Sequence, residues 1–502
     1  MRPGAPTTRS MRRPRSRATR LALAAAVVAG LVLPLVALAA SRGNEGEQVN
    51  AAPPSFTRDV APIVQQKCAG CHRTGGIAPF AFEKARDVSS RAGLIAAVVQ
   101  ARVMPPWPPG PRSPAYSGQQ ERTLTAGERA TIVAWAKAGG RVDGPARKPL
   151  PEEPLELRDG ERRLDIAMAA AYRPQAQSGA TDDYRCFVLD PKLAEDVAVT
   201  SARIEPGASK VVHHVILFRV PAAQASEAAL LDAASPGPGW TCFGGTGVEE
   251  GGSASSIASA LNDASWIAAW APGWGGGRLP DGAGVPLPAG SRIVMQVHYN
   301  LLNGKAPDRS RAVLTVAPAS TGLALVRTVL LPAPVELACA QGEHGALCKR
   351  TAALLDLSRK YGPAAAFAPS GLLLLCRRNV TNARPSPVSR CDRRISTPTR
   401  ILAVAGHMHL LGASIRVELN PGTPSAQVLL DIPRWDFHWQ NAYALAEPIK
   451  ANAGDVVRVT CRHDVTKRRD GAHGVPRTPR YVLWGEGTAD EMCLGILQVT
   501  ET

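Results

Sequence analysis

From about residue 161 onward the chain is a succession of short β-rich runs, each bounded by Gly or Pro. They fall at 211–220, 291–299, 311–316, 401–407, 414–419, 427–432, 456–461 and 481–484. Many short strands separated by turn residues predict antiparallel sandwiches or barrels. A region of roughly 340 residues is long for one sandwich, so two are expected, with 317–334 as the joint. The 46 glycines and 43 prolines supply the turns.

Upstream the texture is helical, at 58–67, 84–102 and 125–138. The last of these opens with Thr125 and Glu128, spaced as a capping box, and stops at Gly139-Gly140. Residues 55–145 are therefore expected to form a small all-α domain. Linkers at 41–54 and 146–160 flank it.

The N-terminus reads as an export segment. Seven arginines and no acid lie in residues 1–40, and 21–40 are uncharged and end in Ala37-Leu38-Ala39-Ala40. That is a signal peptide with a small-residue cleavage site. The competing reading is an uncleaved anchor, since twenty apolar residues just reach across a bilayer. Either way the remainder is placed outside the cytoplasm, periplasmic or secreted, with membrane attachment only if the segment is retained. Without those arginines the formal charge of +16 drops to +9, scattered along the chain. A nucleic-acid partner, which needs a concentrated basic face, is not expected.

Cys68-Ala69-Gly70-Cys71-His72 is a C-x-x-C-H motif, the attachment sequence of c-type haem. Two thiols on one helical turn bond the haem vinyl groups, and the next residue offers its imidazole to the iron. A redox dithiol pair would need a βαβ setting, which this helical block lacks. The block resembles the small cytochrome c domains fused to exported enzymes, through Gly75-x-x-Ala78-Pro79-Phe80, Val103-Met104-Pro105-Pro106-Trp107 and Ile132-Val133-Ala134-Trp135. The resemblance implies one haem c on Cys68, Cys71 and His72, with Met104 as the distal ligand. The alternative for Met104 is a core residue.

Ten histidines occur. His213-His214 and His298 lie in strand-like runs. Consecutive strand side chains point to opposite faces, so His213 and His214 share a metal only at a strand end or a local distortion. His407-Met408-His409 puts two rings on one face and needs a third group. Imidazole alone does not choose among zinc, copper, iron and nickel, whereas a thioether such as Met492 favours copper. His344, His438, His463 and His473 read as surface residues, with His438 in a strand around 435–439.

Several pieces stand in a specific order: Val212-His213-His214-Val215, Ala268-Ala269-Trp270-Ala271-Pro272 before Leu279-Pro280, Gln296-Val297-His298-Tyr299, His407-Met408-His409-Leu410-Leu411-Gly412, and Gly485-Glu486-Gly487 to Asp490-Glu491-Met492-Cys493. With these, residues 161 to 500 resemble the copper type II, ascorbate-dependent monooxygenases, which include peptidylglycine α-hydroxylating and dopamine β-monooxygenases. The resemblance implies two antiparallel, jelly-roll-like sandwiches, 161–320 and 321–502, facing across a solvent cleft. It implies two coppers, an electron-transfer ion on His213, His214 and His298 and an oxygen-activating ion on His407, His409 and Met492. Gln296 is expected to line the cleft. It further implies disulfides Cys186–Cys242 and Cys461–Cys493. Cys339, Cys348, Cys376 and Cys391 remain, pairing locally as 339–348 and 376–391 or binding zinc. A stretch near 335–400 looks like an insertion.

The resemblance has gaps. Ala405 stands where the peptide-hydroxylating enzymes have Arg, and Leu494 and Ile496 stand where they have Asn and Tyr. A site for a substrate carboxylate is thus missing, and peptidylglycine is not the expected substrate. The expectation is an exported oxidoreductase that hydroxylates a C–H bond of a small molecule with O2. A periplasmic donor supplies electrons through the fused haem to the copper of His213, His214 and His298. The alternative is a non-catalytic periplasmic haem and copper redox or storage protein.

Overall fold

Arg292–Asn300 carries Ile293, Val294, Met295, Val297 and Tyr299 with little polar alternation, and its interior is wholly buried. Such a strand belongs in the middle of a sheet covered on both faces. In the computed structural model, which describes residues 52–74, 78–144, 157–176, 181–248, 261–271, 276–470 and 477–502, that is its place. The export segment 1–40, most of the linker 41–54 and much of the linker 146–160 lie outside the described residues.

Strands β1 to β11 are Arg162–Ala167, Asp182–Leu189, Val197–Glu205, Val212–Val220, Trp240–Thr241, Trp266–Trp270, Gly276–Arg278, Ala283–Leu287, Arg292–Asn300, Arg311–Pro318 and Ala324–Leu325. One sheet runs β5-β2-β9-β4-β6 and the other β1-β10-β3-β8-β11, with β7 on β3. Val215, Leu217, Met295 and Val297 from the first sheet and Val199, Leu287, Leu314 and Val316 from the second share one core. This is a sandwich.

Strands β12 to β21 are Arg327–Pro332, Glu336–Leu337, Val388–Arg394, Thr399–His407, Gly412–Leu419, Gln427–Ile432, Ala442–Ala451, Val456–His463, Val482–Leu483 and Leu494–Glu501. They form sheets β12-β21-β15-β18 and β14-β19-β16-β17, with a small β13-β20 pair beside them. A second core built on Val404, Ile415, Val417, Leu430, Val459 and Leu497 joins these two sheets. The changeover between sandwiches falls between β11, which pairs with β8, and β12, which pairs with β21. Val388–Arg394 pairs with β19 as a sandwich strand, and Cys391 is bonded into it.

Helices α1 to α5 are Ala61–Lys67, Ala85–Ser89, Ala92–Gln100, Gln119–Arg122 and Ala126–Lys137. The expected single helix over 84–102 is broken at Ser90-Arg91. Thr125 and Glu128 close a reciprocal capping box on α5, as their spacing predicts. Phe56, Ile132 and Trp135 centre a separate small core. The segment after Met104 is stitched to the C-terminal sandwich. Gly110 donates to the Asp431 carbonyl at 2.7 Å, Ser117 to that of Ala444 at 2.9 Å, and Ala446 to that of Ala115 at 3.0 Å. Trp107 packs edge-on against Tyr443, with ring centroids 5.5 Å apart. No helix among the described residues is long and apolar enough to cross a membrane.

Three further helices complete the described set used below: α6 (Ala225–Ala234), α7 (Arg350–Tyr361) and α8 (Pro363–Leu375). Four disulfides form, Cys186–Cys242, Cys339–Cys348, Cys376–Cys391 and Cys461–Cys493. Cys68 and Cys71 stay as thiols. Four bridges in one chain fit an oxidising compartment.

Candidate metal centres

In the first sandwich β4 and β9 pair antiparallel, and His214 lies directly opposite His298. The register slips between Val212 and His214. A bulge at that point re-aims side chains, which resolves the difficulty of two consecutive histidines on one strand. His213 Nδ1 and His214 Nδ1 are 3.4 Å apart, and His298 Nδ1 is 3.3 Å from His214 Nδ1. Imidazole nitrogens about 2.0 Å from a shared tetrahedral ion would be separated by about 3.3 Å. Both separations from His214 match that value, and one ring nitrogen from each of the three histidines lies within 4.8 Å of the others, so the set can hold one metal.

The surroundings fix which nitrogen His298 offers. His298 Nε2 lies 2.8 Å from Asp182 Oδ1, so the N–H belongs there and Nδ1 keeps its lone pair. Burial works against the Asp182 charge, but hydrogen bonds from His298, Thr488 and Thr181 outweigh it and hold the carboxyl at about 2. Tyr184 stacks on His298 at 4.1 Å and donates its hydroxyl to the Glu486 carbonyl at 2.6 Å. Burial, and then neighbouring imidazoles, drives His213 and His214 well below the ordinary histidine range. They are neutral and ready to ligate.

In the second sandwich His407 closes β15 and His409 follows just beyond it. Met408 between them points into the core and is fully buried. His407 Nδ1 lies 2.5 Å from Gln440 Oε1, and His409 Nδ1 lies 3.2 Å from the Asp490 carbonyl. Both acceptors demand an N–H on Nδ1, which leaves each Nε2 with its lone pair free to bind a metal. His407 is opposite Leu494 in the β15–β21 ladder, so the chain approaches β21 through Met492 beside the H-x-H turn. Glu491 binds the two together. Its carboxylate accepts from the backbone N–H of His409 at 3.0 Å, Leu411 at 2.5 Å and Met492 at 3.1 Å. Burial still pushes that carboxyl up to about 8, against those three donors. Cys461–Cys493 ties the same turn to β19.

The two sets approach each other closely. His214 and His407 rings are 6.3 Å apart. Phe437 of the second sandwich stacks on His213 at 4.4 Å. The Tyr184–Glu486 bond and a hydrogen bond from Thr488 to Asp182 draw the sandwiches together. Beside them opens a cavity of about 1270 Å³, to which His214, Gln296, His407 and Met492 all contribute. Gln296 reaches it while donating to the Gly245 carbonyl at 3.0 Å. Ala405, Leu494 and Ile496 line it too.

In the helical block His72 N bonds the Cys68 carbonyl at 2.9 Å, so both thiols and the imidazole share the one turn that follows α1. His72 Nδ1 donates to the Phe80 carbonyl at 3.0 Å, which frees Nε2, and the ring stacks on Phe82 at 4.4 Å. Met104 is half-buried four residues past the end of α3, its N–H on the Val98 carbonyl. Gly75 of the expected pattern lies outside the described residues. The block is docked on the C-terminal sandwich, whereas the sequence reading directs its electrons to the His213 set on the other one.

Sequence reasoning missed several partners. Asp182 and Tyr184 sit on β2, whose Asp-Asp-Tyr-Arg start hides a buried strand behind polar residues. Gln440 and Phe437 lie in a turn, not in the strand expected around 435–439. His463 is not a surface residue: it is the buried end of β19, 3.6 Å from Glu491. His344 and His438 are exposed, as expected, and His473 lies outside the described residues.

No curated protein matches the chain. Among solved structures the similarities are weak. The major capsid protein P2 of bacteriophage PM2 is 7% identical with a TM-score of 0.19, over 68% of this chain and 97% of that one. An allantoicase is 10% identical with a TM-score of 0.14, over 68% and 90%. The VP2 subviral particle of infectious bursal disease virus is 8% identical with a TM-score of 0.15, over 71% and 75%. Likenesses of that size carry no argument. The informative match is to a family model: residues 378–498, which hold His407, His409 and Met492, match the C-terminal domain of the copper type II, ascorbate-dependent monooxygenases.

Proposed function

We propose that the protein is an exported copper-dependent monooxygenase with its own c-type haem donor. What supports the reading most is the convergence of His213, His214 and His298, whose ligand nitrogens lie within 4.8 Å of one another, beside a cavity that His407 and Met492 also line. His213, His214 and His298 would hold one copper, and His407, His409 and Met492 the other. Bound copper would supply one-electron exchange and reduction of O2. Overall, a substrate C–H bond, O2, two electrons and two protons yield the alcohol and water.

The residues around the sites have definite tasks. Asp182 and Gln440 hold His298 and His407 in the tautomers that present a free nitrogen. Glu491 keeps the H-x-H turn and Met492 in one piece. The Cys68, Cys71 and His72 turn fits a haem, with Met104 as the proposed distal ligand. Electrons from a periplasmic carrier would pass from this block through its contact with the C-terminal sandwich, and between the two centres by the close approach of His214 and His407.

The test is full-length protein matured in a host that attaches haem c. Two coppers and one haem per chain, with ascorbate-driven O2 uptake, are the expected result. Tight copper binding without O2 uptake under any reductant would leave a redox or storage protein instead.

A further inference from the structure

We infer that α8 is the wall of the substrate site, and that the cavity takes a large, uncharged, mainly apolar molecule with a hydrogen-bond donor near the carbon that reacts. The chemistry of the reaction rests on the function proposed above; the binding does not. Helix α8 reads Pro-Ala-Ala-Ala-Phe-Ala-Pro-Ser-Gly-Leu-Leu-Leu-Leu and has no charge. Ala365, Pro369 and Leu373 are buried on one side. Ala364, Phe367, Ala368, Gly371, Leu374 and Leu375 form a second stripe at helical spacing, and it lines the cavity together with Ala365 and Leu372. Phe367 is 73% exposed and Leu374 66%, an apolar surface that soluble proteins seldom leave without use.

The wall is held at both ends. Tyr361 stacks on Phe243 at 4.1 Å, and Cys376 just past α8 is bonded to Cys391. Phe218, Trp266 and Trp270 also line the cavity. Size and charge then select the occupant. The volume of about 1270 Å³ exceeds the range of about 300–1,000 Å³ usual for small-molecule sites. The only lining cation among the described residues, Arg219, is already engaged by Asp263 at 3.0 Å and the Pro286 carbonyl at 3.0 Å. In the metal-free protein a carboxylate or phosphate would enter without a counter-ion, at the cost of its hydration. Beside Gln440, which orients His407, the Oδ1 of Asn441 is screened from solvent with no partner among the described residues. It calls for a donor on the ligand.

The test uses metal-free, full-length protein with its disulfides intact and N-phenyl-1-naphthylamine, an uncharged apolar probe with one N–H. Saturable binding at one site per chain is expected. Leu374→Glu and Phe367→Ser, both on exposed positions, should each weaken it at least about ten-fold with unchanged circular dichroism, and Leu374→Met should not. Equal affinity in all variants, or displacement by an anionic naphthoate as readily as by a neutral naphthol, overturns the proposal. So does loss in Leu374→Glu of a dimer or of binding to phosphatidylcholine vesicles, which would assign the stripe to a second copy or a lipid surface. Probe binding without O2 uptake by the copper-loaded protein sinks the oxygenase reading alone. O2 uptake without probe binding sinks this one alone.

Discussion

His214, on the first sandwich, faces His407, on the second, with ring centroids 6.3 Å apart and planes at 84°. Two imidazole sets that belong to different hydrophobic cores thus share one interior. Paramagnetic ions on both sets would interact, because dipolar coupling rises steeply as distance shrinks. Protein loaded with two Cu(II) should show a broadened electron paramagnetic resonance spectrum. His407→Ala, with one set left, should show a sharp one. If the doubly loaded spectrum is simply the sum of two single-site spectra, this approach of the sandwiches does not persist in the loaded protein.

Asp182 determines which nitrogen of His298 is free. Replacing it with Asn removes the charge that holds the Nε2 proton and lets the ring offer the wrong nitrogen inward. Partners of this kind are typically worth about 10–100-fold in metal affinity. Asp182→Asn should therefore weaken copper binding at the His213 set by that order, read by competition with a chromogenic chelator. The His407 set should keep its affinity. Equal weakening at both sets would mean that the substitution acts through the fold instead.

The sequence displayed the proposed ligands better than their neighbours. His213-His214 on one strand demanded a distortion, and the slip between Val212 and His214 supplies it. The Thr125 capping box and the β-rich runs were legible because each depends on neighbours in sequence. Asp182, Tyr184 and Gln440 were not, because they act across 116, 114 and 33 residues. Polar side chains at the start of β2 read locally as a loop, and only tertiary packing makes them a strand. The docking of 107–118 onto Tyr443 and Leu429 is likewise a long-range fact. So is the cavity stripe on α8, whose uniformly apolar sequence names no preferred face.

Cys461–Cys493 closes a 32-residue separation and ends next to Met492. Chain-entropy reasoning gives its loss a cost of roughly 3–4 kcal/mol. The Cys461→Ser/Cys493→Ser double variant should melt several degrees lower, seen by calorimetry. It should also lose copper from the His407 set before the His213 set, since Glu491 and Met492 are the residues set loose. A melting point equal to that of the parent protein would remove the bridge from the list of supports.

Glu486 is half-buried at the cavity, and burial, followed by the nearby Asp490 charge, lifts its carboxyl from the usual 4.5 to about 7. The other titratable groups facing it are Tyr184, whose hydroxyl bonds its carbonyl, and Asp490, itself raised to about 6 by burial and held by Arg480. A carboxyl raised in the folded state binds its proton more tightly there than in the unfolded chain. Its contribution to stability is thus full below 4.5 and lost as pH rises through 7. Glu486→Gln mimics the protonated form at every pH. The metal-free variant should melt close to the parent near pH 4.5 and above it near pH 8, and the gap should open across the interval between. Asp490 titrates in both proteins, and the gap reads the Glu486 titration together with its coupling to Asp490. A melting-point gap that stays constant from pH 4.5 to 8 would mean that Glu486 keeps an ordinary carboxylate pKa in the folded chain.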